Sequence, residues 1–272
     1  MKAEQKDTLK KFLGELPLTA ELYWLVRQQD GQTHTRFSLR HLQDKLPEMV
    51  EETRALRAES QSTGKKIFLF ATLHHWIEQG AITALGLSAK GNDVTLGYLP
   101  YGDWFTDLSK FDLRRQNIYA RKVLEPAQDL IKPVSFLTTR SLYVALPPAL
   151  QAAVKEVSAY DTQYTLQVEE FDENNPTYQF RLKRNTEAAQ GLYSWLRSIK
   201  PDVVIVPNGT ILEFGIAYRV ARFLKIPTQT YEFSDQKETF WLGQNAEIMR
   251  QDTTQMWQAV QDQPLTTEQF NR

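Results

Sequence analysis

Two of the chain's four histidines, His74 and His75, are adjacent, and Glu78 follows them at helical spacing. An imidazole oriented by a carboxylate is a general base suited to neutral pH, and the spacing allows both groups one helix face. The plainer alternative is a histidine that caps a helix or packs beneath a loop. No metal site is indicated, because no third ligand stands at useful spacing. The pair directly follows an apolar run at residues 67–71, so it falls where a strand should end.

Three further clusters could bind or react. The stretch Tyr98-Leu99-Pro100-Tyr101-Gly102-Asp103-Trp104 closes a second apolar run. Tyr101 and Trp104 beside the Asp103 carboxylate suit a sugar ring, whose CH face packs on aromatics while its hydroxyls donate hydrogen bonds. A loop that merely tucks aromatics onto the core would read the same way. Asn208-Gly209-Thr210 opens a helical pattern, with Asn208 or Thr210 as its cap and free first-turn amides for an anion or hydroxyl. Glu213 either joins that site or complements the helix dipole. Glu232 lies near the end of an apolar run, where a lone carboxylate is costly unless paired or used.

The elements around these residues explain why they should meet. Residues 203–206 form an unbroken β-branched run, which suits a strand covered on both faces of a parallel sheet. A helical pattern and a second apolar run at 228–231 complete a βαβ unit. Residues 67–71, 76–90 and 94–98 form another in the same sense. The crossover rule predicts one parallel sheet with the 67–71 and 203–206 strands adjacent. Every strand of such a sheet delivers its carboxyl end to one edge, where ligands bind.

The fold class expected is α/β: a Rossmann-like parallel sheet with helices on both faces. Residues 1–62 read as a helical N-terminal extension, with apolar positions at Leu13, Leu16, Tyr23, Trp24 and Leu25, then at Leu39, Leu42, Leu46, Met49 and Val50. Residues 63–260 read as the Rossmann-like domain, interrupted at about 105–200 by a helical insertion with helices at 112–130, 148–167 and 178–199. A short strand falls at 136–139 or 142–145. Residues 261–272 are a polar tail. Trp241, Met249 and Trp257 read as packing residues. Arg114-Arg115 with Arg121-Lys122, and Arg181 with Lys183 and Arg184, read as solvated helix faces; the first group could also hold a phosphate or an acidic lipid surface.

Composition excludes several classes. With 32 basic and 33 acidic residues in 272, the net charge of −1 does not fit a nucleic-acid binder. Neither a 20-residue apolar span nor a signal core is legible, and there is no cysteine. The expected setting is the cytoplasm, with peripheral membrane contact as a variant. The turn after the first strand, Ala71-Thr72-Leu73-His74-His75-Trp76, lacks the glycines that let a backbone approach a pyrophosphate. Neither a P-loop nor a nucleophile elbow occurs.

Residues 200–257, KPDVVIVPNGTILEFGIAYRVARFLKIPTQTYEFSDQKETFWLGQNAEIMRQDTTQMW, resemble the N-terminal half of bacterial GT-B-fold glycosyltransferases of surface or capsular polysaccharide synthesis. Residues 67–104, IFLFATLHHWIEQGAITALGLSAKGNDVTLGYLPYGDW, are similar to the opening βαβ unit of those enzymes. The resemblance implies an acceptor-binding domain for a sugar or glycolipid, with His74 or His75 on the acceptor-side loop and Asn208, Gly209, Thr210 and Glu232 lining the same cleft. It implies no cofactor and no metal in this domain. The nucleotide-sugar donor would bind a C-terminal domain, supplied in cis or in trans, for which no second Rossmann pattern follows Trp257. The rival reading is a non-catalytic α/β module that binds a ligand or a partner.

Overall fold

The computed structural model describes residues 3–27, 37–60, 64–137, 144–234, 238–250 and 252–270. Helices α1 (Ala3–Glu15), α2 (Thr19–Arg27) and α3 (Arg40–Glu59) precede strand β1 (Lys66–Thr72). Helix α4 (His74–Ala89) leads to β2 (Asp93–Leu99), and α5 (Lys110–Leu124) with α6 (Gln128–Ile131) leads to β3 (Val134–Ser135). Two long helices, α7 (Pro148–Leu166) and α8 (Pro176–Ile199), make the crossover to β4 (Val203–Pro207). Helix α9 (Leu212–Phe223), β5 (Thr228–Phe233), β6 (Phe240–Gln244), α10 (Thr254–Val260) and α11 (Thr267–Phe270) follow.

The sheet order is β3-β2-β1-β4-β5-β6, parallel throughout except for the antiparallel β5–β6 pair. The four expected strands therefore lie in one parallel sheet, and β1 pairs β4 with Ile67 opposite Val203. Phe68, Leu69, Phe70 and Ala71 are all buried, as a strand sandwiched between helix layers requires. One layer holds α3, α4, α5 and α6; the other holds α7, α8 and α9. This is a Rossmann-like α/β fold.

The stretch 105–200 is helical as expected, but it is the sheet's own connectivity, since it contains β3. That strand is at Val134–Ser135, immediately before the nearer expected position at 136–139. Two residues cannot write a strand pattern, and residues 138–143 lie outside the described set. Strand β6 was not anticipated. Its Phe240, Trp241 and Leu242 are about half exposed, and Met249 and Trp257 are more exposed still, so Trp241, Met249 and Trp257 are not core residues.

Of the N-terminal apolar positions, Leu39, Leu42, Leu46 and Val50 pack into the core through α3, whereas Leu16 and Leu25 are exposed and only Trp24 of α2 is buried among the large side chains. Arg114 and Arg115 are not a solvated face. Arg114 pairs with Glu21, and the buried Arg115 meets Asp112 at 3.2 Å. Among the described residues, no helix is long and apolar enough to cross a membrane.

Candidate functional site

Connections leave β1 toward β2 on one side, while the long α7–α8 crossover returns to β4 on the other. The switch point is thus the gap between the carboxyl ends of β1 and β4, where open sheets of this kind leave a crevice. A cleft of about 140 Å³ opens there, and His75, Trp104, Asn208 and Glu232 all line it. Four segments widely separated in sequence converge on it, as their places at strand ends required. Leu73, Trp76, Tyr164, Ile211, Leu212 and Phe214 supply its apolar wall.

Helix α4 begins two residues earlier than its periodicity suggested, so both histidines are in its first turn. The turn before it holds Leu73 at φ 65° and ψ 145°, a region used almost only by glycine. Asn208 and Leu212 also have positive φ, both 56°. Three strained non-glycine residues therefore line one small cleft, each held at a cost of order 1–3 kcal/mol. Such strain persists only where the surroundings fix it.

His75 is exposed on the cleft rim and His74 is half-buried, their rings 5.2 Å apart and nearly perpendicular. Partial desolvation, reinforced by His74, lowers the pKa of His75 below the usual histidine value. It is a neutral imidazole at pH 7 and can accept a proton. His74 Nδ1 is enclosed without a hydrogen-bond partner.

Glu78 does not orient either ring. Its Oε1 accepts from the Leu42 amide at 3.1 Å, in the first turn of α3, so it caps a neighbouring helix. Spacing placed it on the right helix, but an open amide on α3 claims the carboxylate.

Asn208 and Glu232 form the polar side of the cleft. Asn208 Nδ2 donates to Glu232 Oε2 at 3.1 Å, and the Phe233 amide donates to Glu232 Oε1 at 3.1 Å. Asn208 Oδ1 accepts from the Thr210 amide at 3.0 Å, which closes the turn before α9 and does not cap the helix. Gly209, at φ 84°, is required here, because a Cβ would stand 2.6 Å from Thr230 Cγ2. Gly209 and Thr210 shape the turn without lining the cleft.

Glu213 is no substrate contact. It is fully buried, with Arg181 Nη2 at 3.1 Å and Arg184 Nε at 3.2 Å from its Oε1. Burial by itself would push its pKa up, but Arg181 and Arg184 outweigh that and hold it below the usual carboxylate value. Arg181, also fully buried, donates from Nε to Asp161 Oδ2 at 3.0 Å. Asp161 Oδ1 in turn accepts the Leu212 amide at 2.6 Å and so caps α9 from α7. Asn185 bridges, donating to Asp161 Oδ2 at 2.9 Å and accepting from Arg181 at 3.1 Å. The sequence pattern puts Arg181 and Arg184 on a solvated face, but charged partners from two other helices, Asp161 of α7 and Glu213 of α9, draw them inward.

The same arginines hold the loop after β2. Arg181 Nη1 donates to the Trp104 carbonyl at 3.3 Å, and Arg184 Nη1 to that of Asp103 at 3.4 Å. The Asp103 carboxylate closes its own turn by accepting the Phe105 amide at 3.1 Å and the Thr106 amide at 2.6 Å. Tyr101 is buried under Arg184, whose Cζ stands 3.4 Å from the ring centroid, and faces a separate crevice beside Leu99 and Phe136. Burial raises its pKa to about 12 despite the nearby guanidinium. Of the three residues expected from this loop, only Trp104 reaches the cleft.

The chain is thus a Rossmann-like α/β protein with a small aromatic cleft at its switch point, carrying a neutral imidazole and a carboxylate. Comparison with protein-family models, with curated proteins and with solved structures finds no match. Among the described residues, no group of three or more His, Asp or Glu side chains is placed to hold a metal ion.

Proposed function

We propose that this chain is the acceptor-binding half of a nucleotide-sugar-dependent glycosyltransferase. The observation that carries the reading is the meeting of His75, Trp104, Asn208 and Glu232 in one open cleft at the switch point. Trp104 offers an aromatic wall for a sugar ring, Asn208 and Glu232 offer hydrogen bonds to hydroxyls, and His75 is free to take a proton. His75 deprotonates an acceptor hydroxyl while the donor's diphosphate departs. The donor is bound by a second domain, in cis or in trans.

Supplying the donor-binding half and measuring sugar transfer tests this. His75→Ala should lower turnover by roughly a hundredfold or more, the scale of losing a general base, with the fold intact. Full activity in that variant would remove His75 from the chemistry. One observation favours a second reading: Glu78 is held by α3, so the carboxylate expected to orient the imidazole is engaged elsewhere. A non-catalytic saccharide-binding module would bind sugars in this cleft and show no transfer with any donor half.

A further inference from the structure

The charges around the cleft set what kind of sugar it can hold. Among the described residues, Glu232 is the only Asp, Glu, Lys or Arg side chain in its lining. The nearest buried cations, Arg181 and Arg184, are matched by two carboxylates, Asp161 and Glu213. Arg181 Nη1 and Arg184 Nη1 donate to the carbonyls of Trp104 and Asp103, while Arg184 Nη2 makes no hydrogen bond among the described residues. His75 carries less positive charge than an ordinary histidine at the same pH, since partial burial holds its pKa down.

Trp76, Trp104, Tyr164 and Phe214 line the cleft and add no cation to it. A ring that turns its face to the cleft attracts a cation and repels an anion. Among the described residues Glu232 accepts two hydrogen bonds, one per oxygen, against about four acceptor positions on a carboxylate. Two helices start at the cleft, and each N-terminus carries roughly half a positive charge. At α9 that charge is already answered by Asp161 on the Leu212 amide. At α4 it is opposed by the whole charge of Glu232.

We propose that the cleft selects a sugar ring without phosphate or carboxylate, and that Glu232 makes it prefer an amino sugar in its ammonium form to the neutral sugar. The ring part of this rests on the saccharide reading above; the charge part does not. Calorimetric or NMR titration of the full chain at pH 6.5 with glucosamine, glucose, glucuronate, glucose 1-phosphate and tetramethylammonium separates the two.

Glucosamine should bind about fivefold more tightly than glucose, the scale of a solvent-accessible ion pair, and the ratio should shrink with added salt. Glucuronate and glucose 1-phosphate should bind more weakly than glucose. Glu232→Gln should bring the glucosamine-to-glucose ratio near one. An anionic sugar binding as tightly as glucose, or a ratio unmoved by both Glu232→Gln and salt, overturns the proposal. Tetramethylammonium shifting the cleft resonances while no sugar does would remove the saccharide reading and keep the charge selection. If no probe shifts them, both fall.

Discussion

Asp161 Oδ1 accepts the amide of Leu212 at 2.6 Å while its Oδ2 takes the guanidinium of Arg181 at 3.0 Å. One buried carboxylate on α7 thus fixes both the strained first residue of α9 and the arginine that tethers the Trp104 loop. The cleft inherits its shape from this network. Breaking a buried ion pair by removing one partner leaves an uncompensated charge and costs about 3–5 kcal/mol. Arg181→Met should lower unfolding free energy on that scale, read by urea denaturation. Less than about 1 kcal/mol lost would mean that the network is not a stabilising unit.

A double-mutant cycle asks whether Arg181 and Glu213 act as a pair. Each variant alone, Arg181→Met or Glu213→Gln, strands a partner. Together they should cost clearly less than the sum, with a coupling of about 0.5–3 kcal/mol, as residues in one network show. Additive losses would show that each side chain matters through other neighbours. The depressed pKa of Glu213 also has a sign. Its contribution is present above the unfolded carboxylate value and is lost as pH falls through the lower folded one, so Glu213→Gln should flatten the acid limb of the stability profile.

Much of this architecture was legible because strands on both sides of the switch point are apolar runs long enough to show. Residues 67–71 and 203–206 read as buried strands, and their connections placed His75, Asn208 and Glu232 at one edge. The network beneath the cleft was not legible. Asp161, Arg181 and Glu213 are 20 and 32 residues apart in successive steps, and each alone reads as an ordinary charge on a helix. The one local hint is the run Arg181, Arg184 and Asn185, whose helical spacing puts three polar groups on one face. Glu78 shows the converse: its spacing to the histidines was right, but Leu42, from a helix 36 residues earlier, takes it.

Glu78→Ala therefore separates the capping role from a catalytic one. Losing the acceptor for an α3 amide should cost about 1 kcal/mol of stability, the usual scale of a helix cap. Sugar transfer by the complemented enzyme should change less than threefold. A loss of transfer comparable to that of His75→Ala would restore Glu78 to the chemistry.

His75 should titrate below the ordinary histidine value, followed by NMR of its ring protons. Desolvation is the leading cause and His74 the second. His74→Ala should therefore raise the His75 pKa only part of the way back. Because the folded pKa lies below the unfolded one, the unfolded chain binds more protons in between, and stability at this site rises with pH across that window. Transfer that depends on a neutral His75 should likewise persist below pH 6.5 and fail only under its lowered pKa. An unshifted or raised value would contradict the partial burial of the ring.

Gly209 connects the backbone of β4 to the polar side of the cleft. Its φ of 84° and the 2.6 Å between a hypothetical Cβ and Thr230 Cγ2 are separate obstacles to any side chain. Gly209→Ala should destabilise the protein by about 1–3 kcal/mol and weaken sugar binding, because the turn that aims Asn208 at Glu232 must move. Thr230→Ser removes Cγ2 and keeps the hydroxyl, which donates to the Ala246 carbonyl at 2.8 Å. Added to Gly209→Ala, it should recover the steric share of the loss and leave the conformational share, about 1 kcal/mol, in place. Full recovery would assign the glycine to packing alone. No recovery would assign it to its left-handed backbone, and binding would then stay weak in the double variant.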